Sequence, residues 1–124
     1  MKEFLLVFIG GGIGSVSRFS VSRLFINLTP AFPFATLVSN ILSCTVFGMV
    51  MMLGVNRLNL NESLKLLLIT GFCGGFSTYS AFTFETVELF KHGQAGMAAL
   101  NIILNFILSV SGLYLGIVSI KLFA

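Results

Sequence analysis

Four stretches of this 124-residue chain carry no charged side chain: Phe4–Ser17, Phe34–Val55, Leu66–Phe84 and Gly93–Ile120. A helix needs about 20 mostly apolar residues to cross the hydrocarbon of a bilayer. Inside lipid, only helices and closed barrels satisfy their own backbone. The pattern therefore predicts an all-α membrane protein. It has one integral domain over 1–124, with spans near 4–28, 34–53, 64–84 and 97–123. Charges within these spans are few: Arg18 and Arg23 in the later half of the first, Lys65 at the start of the third and Lys121 at the end of the fourth. Charged residues make up 9% of the chain, against roughly a quarter in a soluble domain. A soluble helical core would lack the polar surface to cover itself. The connections, Thr29–Pro33, Asn56–Ser63 and Lys91–Gln94, leave no room for a catalytic head, so an enzyme is not expected. Met-Lys-Glu followed by Phe4–Ile9 looks like a signal peptide, but no small-x-small cleavage site follows. It reads as the start of the first helix.

With four spans, Lys2, Arg57, Lys65 and Lys121 fall on one side and Arg18, Arg23 and Lys91 on the other. Four against three is almost no bias, so the positive-inside rule chooses no orientation. The balance points to insertion both ways. It would allow an antiparallel homodimer, the separate-chain version of an inverted repeat. Cys44 and Cys73 lie inside spans without metal-ligand spacing and read as packed thiols. The single histidine, His92, reads as a solvated loop residue. A net charge of +3 made from so few charges gives no sign of a nucleic-acid partner.

Gly10 and Gly14, and Gly112 and Gly116, each form a G-x-x-x-G face that lets a second helix approach closely. The second span aligns Thr36, Asn40 and Ser43 on one face. The fourth stacks Asn101, Asn105 and Ser109 at intervals of four. An amide in hydrocarbon is costly unless bonded. These stripes read either as interhelical hydrogen bonding or as the wall of a wet path. No carboxylate lies mid-span, which argues against a proton relay.

In the third span, Gly74 and Gly75 weaken the helix just before Ser77, Thr78, Tyr79, Ser80 and Thr83. A break there frees backbone groups, tolerated only where protein, ion or water satisfies them. Freed carbonyls are hard oxygen ligands suited to a small cation. Tyr79 and Phe82 share a face. They read as packing aromatics, or as rings whose positive edges meet an anion.

Three motifs then carry a resemblance. Gly11–Phe19 (GGIGSVSRF) looks like GGxxGAxxRY, Thr36–Asn40 (TLVSN) like TLxxN, and Gly71–Phe82 (GFCGGFSTYSAF) like GxxGGxSTFSTF. In this order they resemble the Fluc/CrcB family of small fluoride channels. The resemblance implies a dual-topology homodimer with two fluoride pores in a bacterial plasma membrane. Asn40 matches the pore asparagine, and Tyr79 and Phe82 match the two pore phenylalanines. Ser80 matches a pore hydroxyl, with Thr83, Asn105 and Ser109 expected along the same path. Gly74 and Ser77 match positions whose carbonyls, from both subunits, hold a structural sodium ion. Arg18 matches the first-helix arginine, and Glu85 an acidic residue near one pore mouth. Tyr79 in place of phenylalanine, Ala81 in place of threonine, and the serines Ser39 and Ser43 depart from the pattern. These departures leave open a paralogous partner subunit.

A small proton-coupled multidrug exporter has similar length and also four spans, but its chemistry needs a carboxylate in the first span. Phe4–Leu28 contains neither Asp nor Glu.

Overall fold

The computed structural model describes residues 1–28, 31–56 and 60–123. Thr29, Pro30 and Arg57, which enter the loop and charge arguments above, lie outside the described residues. Helices account for nearly all of the rest. They are α1 (Lys2–Phe25), α2 (Phe34–Asn56), α3 (Glu62–Lys65), a π-helical stretch (Leu66–Cys73), α4 (Gly74–Phe76), α5 (Tyr79–Lys91) and α6 (Ala95–Phe123). Four are long and apolar enough to cross a membrane, with Glu62–Lys91 as an interrupted third span. Exposed large side chains such as Phe4, Phe8, Ile13, Phe106 and Leu115 suit a surface against lipid.

The first helix ends at Phe25 rather than Leu28, and the third span runs past Phe84 to Lys91. Charge does not end a helix. Glu88 and Lys91 form an i,i+3 ion pair at 3.1 Å on α5. What ends α5 is Gly93, at φ 71°. Its N–H donates to Phe90 O at 3.1 Å, and the Gln94 N–H donates to Leu89 O at 2.8 Å. This paired closure needs a residue that tolerates the left-handed region. At the other end of the third span, Asn61 caps α3 by accepting from Leu64 N.

The break lies after the glycines, not at them. Gly74 is helical at φ −62°, ψ −37°. Ser77 (φ −78°, ψ 157°) and Thr78 (φ −150°, ψ 119°) are extended, and α5 starts anew at Tyr79. The reason is packing. A Cβ on Gly75 would run into the Gly11 carbonyl, so this glycine serves close approach. The same holds along the seam between α1 and the third span. A Cβ on Gly14 would strike Phe72 O, and one on Gly10 would strike Leu67 O. The pairing of α2 with α6, about as extensive, is also glycine-lined. There Gly48 meets Leu113 O, and Gly112 and Gly116 meet Ile41 and Thr45 of α2.

Candidate functional site

Breaking a helix leaves polar backbone without its usual partner, so the first question is where those groups go. Much of the answer comes from α2. The Thr78 N–H donates to Asn40 Oδ1 at 2.8 Å. Asn40 Nδ2 sits 3.4 Å from Thr78 O and donates to Asn105 Oδ1 at 3.0 Å. Thr78 also caps α5, its Oγ1 accepting from Ala81 N at 3.1 Å. One turn along α2, Ser43 Oγ donates to Cys73 O at 2.9 Å, where Ser77 Oγ also donates at 2.8 Å. One turn back, Thr36 Oγ1 donates to Glu85 Oε1 at 2.6 Å. The stripe Thr36, Asn40, Ser43 thus holds the third span below, at and above its break. On the far side, the Arg18 Nε–H donates to Gly75 O at 3.2 Å.

Three cavities run in file along α5. A groove of about 560 Å³ opens beside the break. Its lining includes Asn40, Ser77, Thr78, Tyr79, Phe82, Asn105 and Ser109, and no acidic or basic residue. The α5 N-terminus, the positive end of its dipole, lies at this groove. Thr78 is shared with a second cavity of about 370 Å³ lined by Arg18, Thr36, Ser39, Ala81 and Glu85. That cavity shares Ser22, Ala35 and Glu85 with a third of about 540 Å³, which reaches Glu88, His92 and Gln94 at the α5–α6 turn. Among the described residues, Ser39 Oγ and Glu85 Oε2 are buried without a hydrogen-bond partner. Both residues line the second cavity, which has room and polar groups for water.

The expected pore residues divide. Asn40, Tyr79, Phe82, Asn105 and Ser109 share one groove. The Tyr79 and Phe82 rings lie 5.7 Å apart, tilted by 51°. Tyr79 is 80% exposed, so a single chain leaves this wall open. Ser80 and Thr83 are exposed outside the groove. Ser80 Oγ lies 3.2 Å from Thr78 Oγ1, and Thr83 Oγ1 donates to Tyr79 O at 2.9 Å. Gly74 and Ser77 line a small recess of about 130 Å³ with Ser43, Cys44 and Cys73, and Ser77 and Cys44 also border the groove. Arg18 and Glu85 both line the second cavity. Sequence reasoning missed three features: the orphaned Ser39 hydroxyl, the Thr86 hydroxyl beneath Asn101, and Gly48 in the α2–α6 seam. Gly48 has no G-x-x-x-G partner in its helix, and only its contact with Leu113 O of α6 shows its role.

Four helices long and apolar enough to cross a membrane, packed around an uncharged groove, define a multi-pass membrane protein. The chain belongs to the CrcB family: the family described as CrcB-like protein, Camphor Resistance (CrcB), matches residues 5–117. It is 40% identical over 124 residues, 99% of each chain, to the fluoride-specific ion channel FluC of Azobacteroides pseudotrichonymphae genomovar. CFP2. It is 41% identical over 118 residues, 94% of each chain, to the protein of that name from Rhizobium etli (strain CFN 42). With the Escherichia fergusonii protein of that name it shares 42% identity over 107 residues, 86% of this chain and 84% of the relative.

Proposed function

We propose that this protein is a fluoride-selective channel of a bacterial plasma membrane, giving passive efflux that protects against fluoride. The observation that carries the reading is the uncharged groove gathering Asn40, Tyr79, Phe82 and Ser109 at the N-terminus of α5. Fluoride is small and strongly hydrated, so a selective path has to replace its water. The Asn40 amide, the Ser109 hydroxyl, ring edges and a helix N-terminus are all positive without a full charge. Such a set lets an anion enter and also leave, as conduction requires. The membrane potential drives the anion out of a cell that is negative inside. Fluoride enters as neutral HF and dissociates inside, so passive exit lowers the internal load.

The assembly belongs to the same reading. The balanced charges and the open Tyr79 wall support an antiparallel pair of chains with two pores. In that pair the Gly74 and Ser77 carbonyls of both copies would hold a sodium ion, which cross-links the subunits and takes no part in conduction. The break itself supports the fit. Both residues line one recess at the chain surface, the carbonyls are hard oxygen donors, and a Cβ on Gly74 would meet nothing of this chain within 4 Å. One chain supplies half of such a shell.

The test is purified protein alone in liposomes, with fluoride and chloride efflux measured under a potential. Fluoride release without chloride release is expected. Liposomes that hold their fluoride overturn the homomeric channel. Release restored only by a second, paralogous chain would make this protein one half of a heterodimer.

A further inference from the structure

Behind the groove, three asparagines and two threonines form one unbroken run of hydrogen bonds. Thr78 N–H donates to Asn40 Oδ1 at 2.8 Å, and Asn40 Nδ2 donates to Asn105 Oδ1 at 3.0 Å. Asn105 Nδ2 donates to Asn101 Oδ1 at 2.8 Å and to Asn101 O at 3.1 Å. Asn101 Nδ2 donates to Thr86 Oγ1 at 3.0 Å, and Thr86 Oγ1 donates to Phe82 O at 2.8 Å. The run leaves the third span at Thr78, the cap of α5, passes through α2 and α6, and returns to α5 at Thr86, about two turns on.

Every bond points the same way, and the backbone dictates the direction. A backbone N–H only donates, so Asn40 has to present Oδ1 to Thr78 and turn Nδ2 toward Asn105. A backbone C=O only accepts, so Asn105 has to present Nδ2 to Asn101. The two requirements agree, and each amide has one allowed sense. Asn105 then spends both Nδ2 hydrogens on Asn101. It lines the groove yet has no spare donor to offer there. Asn40 differs. One Nδ2 hydrogen goes to Asn105, and the other faces Thr78 O at 3.4 Å, longer than an ordinary N–H···O bond. That weakly held hydrogen is available to an anion in the groove.

We propose that Asn101, with Thr86 beneath it, is a positioning residue for anion passage: it holds the Asn105 amide in place, and with it the Asn105 Oδ1 that anchors Asn40 Nδ2 in the groove wall. The inference rests on the channel reading above. Asn101 is 0% exposed, and neither it nor Thr86 lines any of the cavities described. Neither touches the ion. Without the Thr86 hydroxyl, the Asn101 amide has a buried donor with no acceptor. Turning the amide over to spare it would set Nδ2 against Nδ2 of Asn105. Either way the run loosens, and Asn105 Oδ1 holds the Asn40 amide less firmly in the groove wall.

The full-length protein in liposomes is tested by initial fluoride efflux across a range of fluoride concentrations. The parent is read first. If it does not conduct, the channel reading fails, whatever the variants do. With a conducting parent, Thr86→Val removes the hydroxyl at nearly constant shape and Thr86→Ser keeps it. Thr86→Val should raise the half-saturating fluoride concentration roughly three- to ten-fold, the worth of one hydrogen bond. Thr86→Ser should match the parent. Asn101→Leu should lower flux further while eluting from a sizing column like the parent. Parental concentration dependence in Thr86→Val overturns the proposal, as does an equal shift in Thr86→Ser. A Thr86→Val protein that does not elute like the parent also overturns it, since the run would then serve only to hold the fold. If Asn101→Leu does not elute like the parent, the Thr86 pair decides.

Discussion

The seam between α1 and the third span and the cluster of α2, α5 and α6 solve one problem in different ways. In lipid, helices gain little hydrophobic drive from meeting each other, so close packing and hydrogen bonds have to hold them together. The α1 seam is mostly backbone against backbone, with Gly10, Gly11, Gly14, Gly71 and Gly75 removing the side chains between and one side-chain bond, Arg18 Nε to Gly75 O. The α2–α5–α6 cluster is made of amides and hydroxyls, with Asn40, Asn101, Asn105 and Thr86 bonded across helices. Glycine contact sets how near two helices lie and says nothing of direction. An amide network sets direction, which a path for an anion needs.

The largest effect should break the glycine side. Gly14→Val places a Cβ on the Phe72 carbonyl, and overpacking of this kind costs about 1–3 kcal/mol or more. It should abolish recovery of monodisperse protein, read by sizing chromatography. Gly12→Val points into open space and should be tolerated. If both are tolerated, the seam is not close-packed.

On the polar side, Asn40→Asp should leave the protein recoverable but cut fluoride efflux by roughly three orders of magnitude. Two unit charges about 4 Å apart repel by about 4 kcal/mol at an effective dielectric of about 20. Near-parental efflux from this variant would move the path away from Asn40.

Phe82→Ile keeps the bulk and removes the positive ring edge. A fall of roughly ten-fold in efflux is expected, at the upper end of what one ring contact contributes. Tyr79→Phe removes only a hydroxyl and should change efflux by no more than about three-fold, less than Tyr79→Ile does. A rise would mark the hydroxyl as an obstruction, and a fall would mark it as a donor.

The smallest effects concern the recess. Ser77→Ala loses one hydroxyl bond to Cys73 O and should cost about 1 kcal/mol or less in thermal stability. Gly74→Ala meets nothing in its own chain. A loss of self-association in that variant, with helix content unchanged, would show a second surface packed against Gly74. Parental behaviour would leave no role for Gly74 between copies.

The uncharged runs alone determined four apolar helices, because hydrocarbon tolerates no other backbone and few charges. Motif order also pointed to the family. The polar stripes of α2 and α6 were legible as stripes, since helical periodicity fixes which residues share a face. Their partners were not legible, because partnership depends on how helices are rotated and how deeply they sit. Only the tertiary structure moved the break from Gly74–Gly75 to Ser77–Thr78, since a glycine's local weakness is indifferent to whether a neighbour needs its empty space. Gly11 does need it. Only the structure likewise separated Ser80 and Thr83 from the groove and gave Asn105 a full set of bonds. A donor's spare capacity is a property of its neighbours, and those lie 65 residues away in the chain for Asn40 and Asn105.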